Sequence, residues 1–198
     1  QYEALEALQH ALALPSVPRR IECFDISTIQ GSETVASMVV CEDGRMRRGE
    51  YRKYRIRGAA HERLRPHRAA DRGIRGEVSA SVRGGGGAPP PVNNDFAAMH
   101  EVVLRRYRKA IEQGGPFPDL IVIDGGKGQL SAAYSALEGL GLANLVAVGI
   151  AKKEELLFTR DRDEALRLAE NDPALLLIER VRDEAHRFAV TFYRRART

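Results

Sequence analysis

The chain has 198 residues, and 43% of them are hydrophobic, which is typical of a globular domain and excludes an intrinsically disordered chain. Lys and Arg number 31 against 27 Asp and Glu, so the net charge is +4. The basic residues cluster in runs at 45–57, 105–109, 180–187 and 194–197; such runs are typical of a phosphate-binding surface, although a solvated face explains any single run equally well.

The cysteine content and the absence of long apolar runs restrict the cellular setting. Cys23 and Cys41 are too few for a disulfide framework, and both lie in apolar stretches, so we expect buried free thiols. The sequence has no signal peptide and no apolar run near the roughly 18 residues that span a bilayer. We therefore expect a cytoplasmic protein without a membrane contact. The chain begins at Gln1 and not at Met, which is typical of a piece of a longer protein.

The first elements are a helix and three strands. Leucines at helical spacing predict a helix over 1–14 that Pro15 ends, and we interpret 1–18 as a helical arm that precedes a domain over 19–198. Apolar or alternating stretches predict three strands joined by short turns, an antiparallel meander. These strands are predicted at 21–27, 35–42 and 49–56.

The segment 58–94 differs from the rest of the chain. It is rich in Arg and Ala and then in Gly and Pro, and no apolar period persists through it. We interpret 58–94 as a flexible insertion within the domain.

The second half of the sequence alternates helices and strands. Asp95 is predicted to cap a helix over 96–113, and Asp172-Pro173 to start a last amphipathic helix that ends near Tyr193. The elements predicted between them are a strand at 119–124, a helix from the glycine turn 125–128 to about 140, a strand at 145–150 and a small hairpin within 155–170. The resulting order is that of an α/β domain with a mixed five-stranded sheet and helices on its faces, an arrangement that resembles ribonuclease-H-like domains.

Two acidic residues lie in apolar strands. Asp25 stands between Phe24 and Ile26 and must point to the opposite face of its strand, because strand side chains alternate. Asp124 ends the strand Leu120–Asp124. Two carboxylates at neighbouring strand ends would surround a hard cation with oxygen atoms. The alternative is that Asp124 caps a turn and Asp25 is a satisfied polar residue.

The last helix and the glycine-rich turn supply further candidates. His186 stands among acids and bases, which suits a metal ligand or proton donor, although a lone helical histidine is more often structural. The turn Gly125–Gln129 offers backbone N–H groups and Lys127 to a phosphate. It lacks the glycine spacing and the Lys-Ser/Thr pair of a nucleotide-triphosphate loop, so a nucleotide hydrolase is not favoured.

Seven separate segments, in order and over nearly the whole chain, resemble the C-terminal nuclease half of the UvrC family. The matching segments are Ile21–Ser27, Gln30-Gly31, Ser37–Val40, Glu50–Tyr54, Asp95–Met99, Asp119–Gln129 and Arg182–Phe188. The resemblance implies a ribonuclease-H-like endonuclease that cuts damaged double-stranded DNA on the 5′ side of a lesion in bacterial nucleotide excision repair. It implies a metal-dependent site formed by Asp25, Asp124 and His186, with Mg²⁺ or Mn²⁺ as the cofactor. It also implies a UvrB–DNA complex as the partner of the full-length protein.

Other residues are candidates for DNA contacts or additional ligands. The candidates for contacts with DNA phosphates, which would add affinity that depends on salt and not on sequence, are Lys127, Arg182, Arg187, Arg52 and Lys53. For each of them, simple solvation at the surface is an equal alternative. Glu101, on the first long helix, is a weak candidate for a further carboxylate ligand.

The sequence departs from the family at the long insertion 58–94 and at Asn94, where an acid commonly precedes Asp95. These departures leave it undecided how this part of the chain contacts DNA. They do not affect the prediction of the three site residues. The alternative function is a non-catalytic ribonuclease-H-like module that binds DNA or serves as a scaffold without a metal. Without the partner-binding and DNA-binding domains of the full-length family, this chain alone is expected to bind DNA weakly and without damage selectivity.

Overall fold

A computed structural model describes residues 2–29, 33–58, 94–151 and 155–195. The segment predicted to be flexible, 58–94, lies outside the described residues except for its two end positions, Gly58 and Asn94. Among the described helices, none combines the length and hydrophobicity that crossing a bilayer requires.

The described elements follow the predicted order of helices and strands. They are α1 Tyr2–Ala11, β1 Arg20–Ile29, β2 Glu33–Glu42, β3 Arg45–Met46, a 3₁₀ turn Arg48–Glu50, β4 Arg52–Arg55, α2 Asn94–Gln113, β5 Leu120–Asp124, α3 Lys127–Gly139, β6 Ala147–Ile150, β7 Leu157–Phe158 and α4 Pro173–Arg195.

The strands form one mixed sheet in the order β3-β2-β1-β5-β6-β7, with β4 also paired to β2. The pairs β1–β2 and β2–β4 are antiparallel, which confirms the predicted meander, and the pairs β1–β5 and β5–β6 are parallel. Five of the strands correspond to the five predicted ones, and β3 and β7, of two residues each, extend the sheet at its edges. The mixed α/β class predicted from the element order is therefore confirmed.

Three local predictions differ from the structure. The helix α2 already begins at Asn94, so Asp95 lies in its first turn and the prediction of Asp95 as the helix cap was wrong. The third predicted strand begins only at Arg52, because the preceding residues form the 3₁₀ turn. The predicted hairpin within 155–170 is reduced to one bridge, between Leu157 and Leu166.

The sheet separates two hydrophobic cores, one on each face. The helices α1 and α4 pack on one face, where Ile178, Val181 and Ala185 of α4 lie at helical spacing and are fully buried. The helices α2 and α3 pack on the other face, against Phe24 and Ile123 among others. The strand β5 is buried along its whole length because it lies inside the sheet with helices on both faces.

Two polar features help to position the elements. The Asp172 Oδ1 atom accepts a hydrogen bond from the backbone N–H of Ala174 at 2.9 Å and so caps α4, which starts at Pro173 as predicted. The free thiols of Cys23 and Cys41 are both buried, as predicted, and burial raises the pKa of the Cys23 thiol well above its ordinary value, with the nearby Asp124 and Asp25 acting in the same direction.

Candidate metal centre

The pairing of β1 with β5 brings the two predicted carboxylates together. The parallel register places Cys23 beside Val122 and Phe24 beside Ile123, and the same offset carries Asp25 to the position beside Asp124. Asp124 is the last residue of β5, but Asp25 lies in the middle of the 10-residue β1. The expectation that both acids lie at strand ends was therefore wrong for Asp25, because β1 continues in its hairpin with β2 after β5 has turned away.

Strand alternation selects the face on which these carboxylates lie. Phe24 and Ile26 pack into the core that α2 and α3 cover, and Cys23 and Val122 pack into the core that α4 covers. Asp25 lies two residues after Cys23, and Asp124 lies two residues after Val122, so both carboxylate side chains face α4.

The imidazole of His186 lies between the two carboxylates. Its Nε2 atom lies 2.7 Å from Asp124 Oδ2, and its Nδ1 atom lies 3.3 Å from Asp25 Oδ2. His186 occupies this position because it follows Ala185, whose side chain packs against the sheet, so the next residue lies at the edge of the helix–sheet contact. Residues separated by up to 161 positions in the chain thus meet at one point.

The burial of the three side chains differs, and a cavity leads to them. The Asp25 and Asp124 side chains are 3% and 0% exposed, whereas the His186 side chain is 39% exposed. A cavity of about 320 Å³ is lined by both aspartates and by the turn that follows β5. Asp95, at the start of α2, and Gln129, in the first turn of α3, complete part of its wall.

The donor atoms of these three residues fit a divalent cation. One ligand atom from each of Asp25, Asp124 and His186 lies within 4.8 Å of the others. Two carboxylates and one imidazole suit Mg²⁺ or Mn²⁺, which prefer oxygen ligands, with Mn²⁺ accepting nitrogen more readily. In the part of the chain that the structure describes, no other group of three such side chains comes together in this way.

Asp95 is a cavity residue for which the sequence pattern predicts a structural role. An acid before an apolar periodic stretch is most often a helix cap, so the pattern predicts that role for Asp95. The signal that pointed elsewhere was the presence of Asp95 in one of the segments that resemble UvrC. The structure shows Asp95 lining the cavity with Asp25 and Asp124.

Glu101, the weak candidate for a further ligand, contacts a different part of the protein. Its carboxylate accepts hydrogen bonds from the backbone N–H groups of Arg57 and Gly58 at 2.8–3.1 Å, and from Arg105 at 3.2 Å. Glu101 therefore fixes the chain that leaves β4, and it is not part of the described Asp25–Asp124–His186 group.

Three of the five predicted phosphate-binding residues lie outside α4, with Lys127 on α3 and Arg52 and Lys53 on β4. Lys127, at the start of α3, is 56% exposed and its Nζ atom donates to the backbone oxygen of Asp163 at 3.1 Å. The Nζ atom of Lys53 lies 4.5 Å above the ring of Phe188, two residues after His186. Arg52 is exposed and donates to the backbone oxygens of Gly49 and Tyr51.

The two arginines on α4 have acidic neighbours. Arg187 is 50% exposed and donates two hydrogen bonds to Glu184, at 2.9 and 2.6 Å. The Arg182 side chain is only 12% exposed and lies within 4.0 Å of both Asp183 and Glu155. A phosphate contact by Arg182 would require its guanidinium to leave these acids, whereas Arg187 is already at the surface.

A second titratable cluster surrounds Glu179, about two turns before His186 on α4. Burial, together with a hydrogen bond to Glu155 and repulsion from its charge, raises the pKa of Glu179 from 4.5 to about 7. Arg182 opposes this shift by stabilising the charged form.

Comparison with known proteins places this site in a family context. The family model of the UvrC RNase H endonuclease domain matches residues 9–70 and 87–190. The UvrABC system protein C of Koribacter versatilis is 46% identical over 191 residues, and that of Solibacter usitatus is 47% identical over 193 residues. These alignments cover 96% and 97% of this chain but only 26% of each relative, so the chain spans about a quarter of their length. Among solved structures, human ENDOV matches 76% of this chain and 57% of its own, with 16% identity and a TM-score of 0.43.

Proposed function

The chain belongs to the family of UvrC RNase H endonuclease domains, and from this premise we propose that it is a metal-dependent DNA endonuclease that makes the 5′ incision in nucleotide excision repair. The reaction is hydrolysis of a phosphodiester bond on the 5′ side of a lesion. Water adds to phosphorus, the bond to the 3′ oxygen breaks, and the products carry a 3′-hydroxyl and a 5′-phosphate.

The observation that carries this proposal is the convergence of three side chains from three separate elements. Asp25 of β1, Asp124 of β5 and His186 of α4 place their donor atoms within 4.8 Å of one another. Two nearly fully buried carboxylates on one side of a cavity are costly to the fold unless a cation or a protonated imidazole neutralises them. Because burying these two carboxylates destabilises the fold, a functional role for the site is favoured over a structural one.

Each of the three residues has a distinct part in the proposed mechanism. Asp25 and Asp124 would hold Mg²⁺ or Mn²⁺, and His186 would complete the site as a ligand or pass a proton to the leaving 3′ oxygen. When bound, the cation would supply Lewis-acid stabilisation of the phosphate and activate the attacking water. Asp95, on the cavity wall, would contribute a further negative charge close to the cation. The buried positions of the two aspartates keep their carboxylates fixed while the substrate binds.

The DNA would approach from the exposed side of His186. Arg187 and Phe188 directly follow His186 on α4, and Lys53 lies above the Phe188 ring. Lys127, at the start of α3, directly follows Gly126 of the cavity wall. With Arg52, these cations would contact phosphates and give an affinity that falls with salt. Arg182 would contribute mainly through its charge, because its side chain is largely buried.

The remaining proposals concern the larger protein. We assign the damaged duplex and the UvrB–DNA complex as partners of a longer chain that contains this domain, since the chain spans only about a quarter of its relatives. Residues 1–18 are proposed as a helical arm and 19–198 as the nuclease domain, and the arm packs its Leu5 and Leu8 against α4. The site of action is proposed to be the cytoplasm.

Incision of a lesion-bearing duplex by the complete repair complex tests the proposal. Asp25→Asn and Asp124→Asn should each remove 5′ cutting in Mg²⁺ or Mn²⁺ while leaving the melting temperature of the metal-free protein near or above the wild-type value. Asp43→Asn is the matched control, because Asp43 is exposed in the turn after β2 and pairs with Arg19 far from the site. Normal cutting by either site variant would refute the assignment, and DNA binding without metal-dependent cutting by the wild type would favour the non-catalytic module.

A further inference from the structure

An exposed aromatic ring lies beside the cavity and belongs to neither hydrophobic core. Phe96 is the third residue of α2 and directly follows Asp95, which lines the cavity. Phe96 is 37% exposed, and it is absent from the residues that form or pack against the two cores. The residues of α2 that do enter the core begin with Met99.

The position of this ring depends on a glycine in α3. A β-carbon added at Gly128 would lie 2.2, 2.5 and 2.9 Å from three carbons of the Phe96 ring. The ring therefore rests against the backbone of Gly128, in the first turn of α3. Only glycine leaves room for this contact, so the ring is held two residues from Gly126, which lines the cavity.

The surroundings of Phe96 combine the groups that bind a nucleotide. Asp95, the residue before Phe96, lines the cavity with Asp25 and Asp124, where a cation and a phosphate would bind. Lys127, 56% exposed, directly precedes Gly128, which the ring contacts, and lies at the positive end of the α3 dipole. An aromatic face next to a phosphate site and a basic side chain is the arrangement on which bases stack in proteins that bind single strands.

We propose that Phe96 stacks against the base of a nucleotide adjacent to the phosphate that is cut, and so positions the strand at the Asp25–Asp124–His186 site. This inference rests on the proposed endonuclease function, because it requires a nucleic acid in the cavity. The base must be unpaired or unstacked from one neighbour to accept the ring, which the distortion of a damaged duplex provides. Phe96 is thus a positioning residue that acts on the substrate strand and not on the cation.

A purely structural role of Phe96 would predict different behaviour. If the ring only joined α2 to α3, Phe96→Leu would preserve most of the apolar contact with Gly128 and would leave DNA binding unchanged. Base stacking needs a planar ring, so Phe96→Tyr should preserve function and Phe96→Leu should not. Phe117→Leu is the matched control, since Phe117 is also 37% exposed but follows the other end of α2, which lies about 25 Å from Phe96 along the helix axis.

The test uses the full-length protein that contains this domain and bubble duplexes in which 2-aminopurine scans the strand around the incised phosphate. Binding is measured in metal-free buffer, where the fluorescence of a stacked 2-aminopurine is quenched and no cutting interferes. We expect quenching at one position with the wild type, Phe96→Tyr and Phe117→Leu. We expect Phe96→Leu to lose the quenching and to bind the bubble about 5- to 100-fold more weakly, the range of one base–aromatic stack.

The outcomes separate this inference from the proposed function. Quenching by Phe96→Leu equal to that of the wild type, at an unchanged melting temperature, overturns the stacking inference even if the wild type cuts DNA. Absence of cutting by the wild type in Mg²⁺ and Mn²⁺ overturns the endonuclease function, whereas the metal-free fluorescence still reports whether a base lies on Phe96. If Phe96→Leu melts at a lower temperature, the Phe96→Tyr variant decides: loss of quenching in that folded aromatic variant also overturns the inference.

Discussion

Gly149 of β6 and Gly125 of the turn after β5 approach so closely that a β-carbon added at Gly149 would lie 2.9 Å from the Gly125 carbonyl oxygen and 3.4 Å from that of Gly126. Gly125 directly follows Asp124 in the chain. The close approach lets the turn fold back over β6, where the backbone N–H of Gly125 donates to Ile150 at 3.0 Å. The position of the Asp124 carboxylate therefore depends on glycine at position 149 of the neighbouring strand β6.

Gly149→Ala should damage both stability and cutting. The atoms that the new methyl group meets are backbone oxygens, which cannot rotate away, so we expect a loss of about 1–3 kcal/mol in the free energy of unfolding. Displacement of Asp124 by a fraction of an ångström to about 1 Å should lower the cutting rate by up to about 100-fold. Urea denaturation and incision kinetics measure the two effects. Gly139→Ala, where the β-carbon meets nothing within 4 Å, should change neither adversely.

Divalent cations should raise the melting temperature of this domain. A ligand at 100 times its dissociation constant that binds only the folded state adds about 2.7 kcal/mol, or about 5–10 °C for a domain of this size. Calorimetry during titration with Mn²⁺ and Mg²⁺ measures the shift. Asp25→Asn and Asp124→Asn should each abolish it, and Asp43→Asn should retain it. An equal shift in the site variants would place the cation elsewhere.

The buried carboxylate of Glu22 should be essential for stability. Its side chain is 0% exposed and accepts hydrogen bonds from Arg20 at 2.9 Å, from Arg106 at 3.2 Å and from the Tyr107 hydroxyl at 2.9 Å. Glu22→Ala leaves the largely buried guanidinium of Arg106 without its carboxylate partner and leaves that of Arg20 with only Glu42 and Glu50, so we expect a loss of about 3–5 kcal/mol in the free energy of unfolding.

Equilibrium denaturation with urea measures the effect of Glu22→Ala. Asp43→Asn is the control, because it weakens an ion pair in which both side chains are largely exposed, and it should have a much smaller effect. Comparable losses in the two variants would show that the buried network does not stabilise the fold as described.

The stability of the protein should depend on pH through Glu179. Its pKa is raised from 4.5 to about 7, so the folded state holds this proton more tightly than the unfolded state. The contribution to stability is complete below 4.5 and is lost as the pH rises through about 7. Glu179→Gln cannot lose a proton, so the stability of the wild type relative to this variant should fall as the pH rises across that interval.

Denaturation curves recorded at several pH values across the interval measure this difference. Glu170→Gln, at an exposed position, serves as the control. Parallel pH profiles of the wild type and Glu179→Gln would contradict the assignment, as would a profile in which the wild type gains relative stability at higher pH.

The amino-acid sequence by itself determined the order of the elements and the face on which each side chain lies. Alternation along β1 placed Asp25 opposite Phe24 and Ile26, and helical spacing predicted that α4 is amphipathic, because these periods are properties of the backbone. Seven segments in register with UvrC identified the family, and the matching family model confirms that identification.

Only the tertiary structure decided which distant residues are neighbours. Asp95 lines the cavity and Glu101 does not join the site, although both acids stand near the start of α2. The contacts of Phe96 with Gly128 and of Gly149 with Gly125 likewise join separate elements. Periodicity specifies directions within one helix or strand, whereas the distance between two elements depends on how all the side chains between them pack, and no local pattern contains that information.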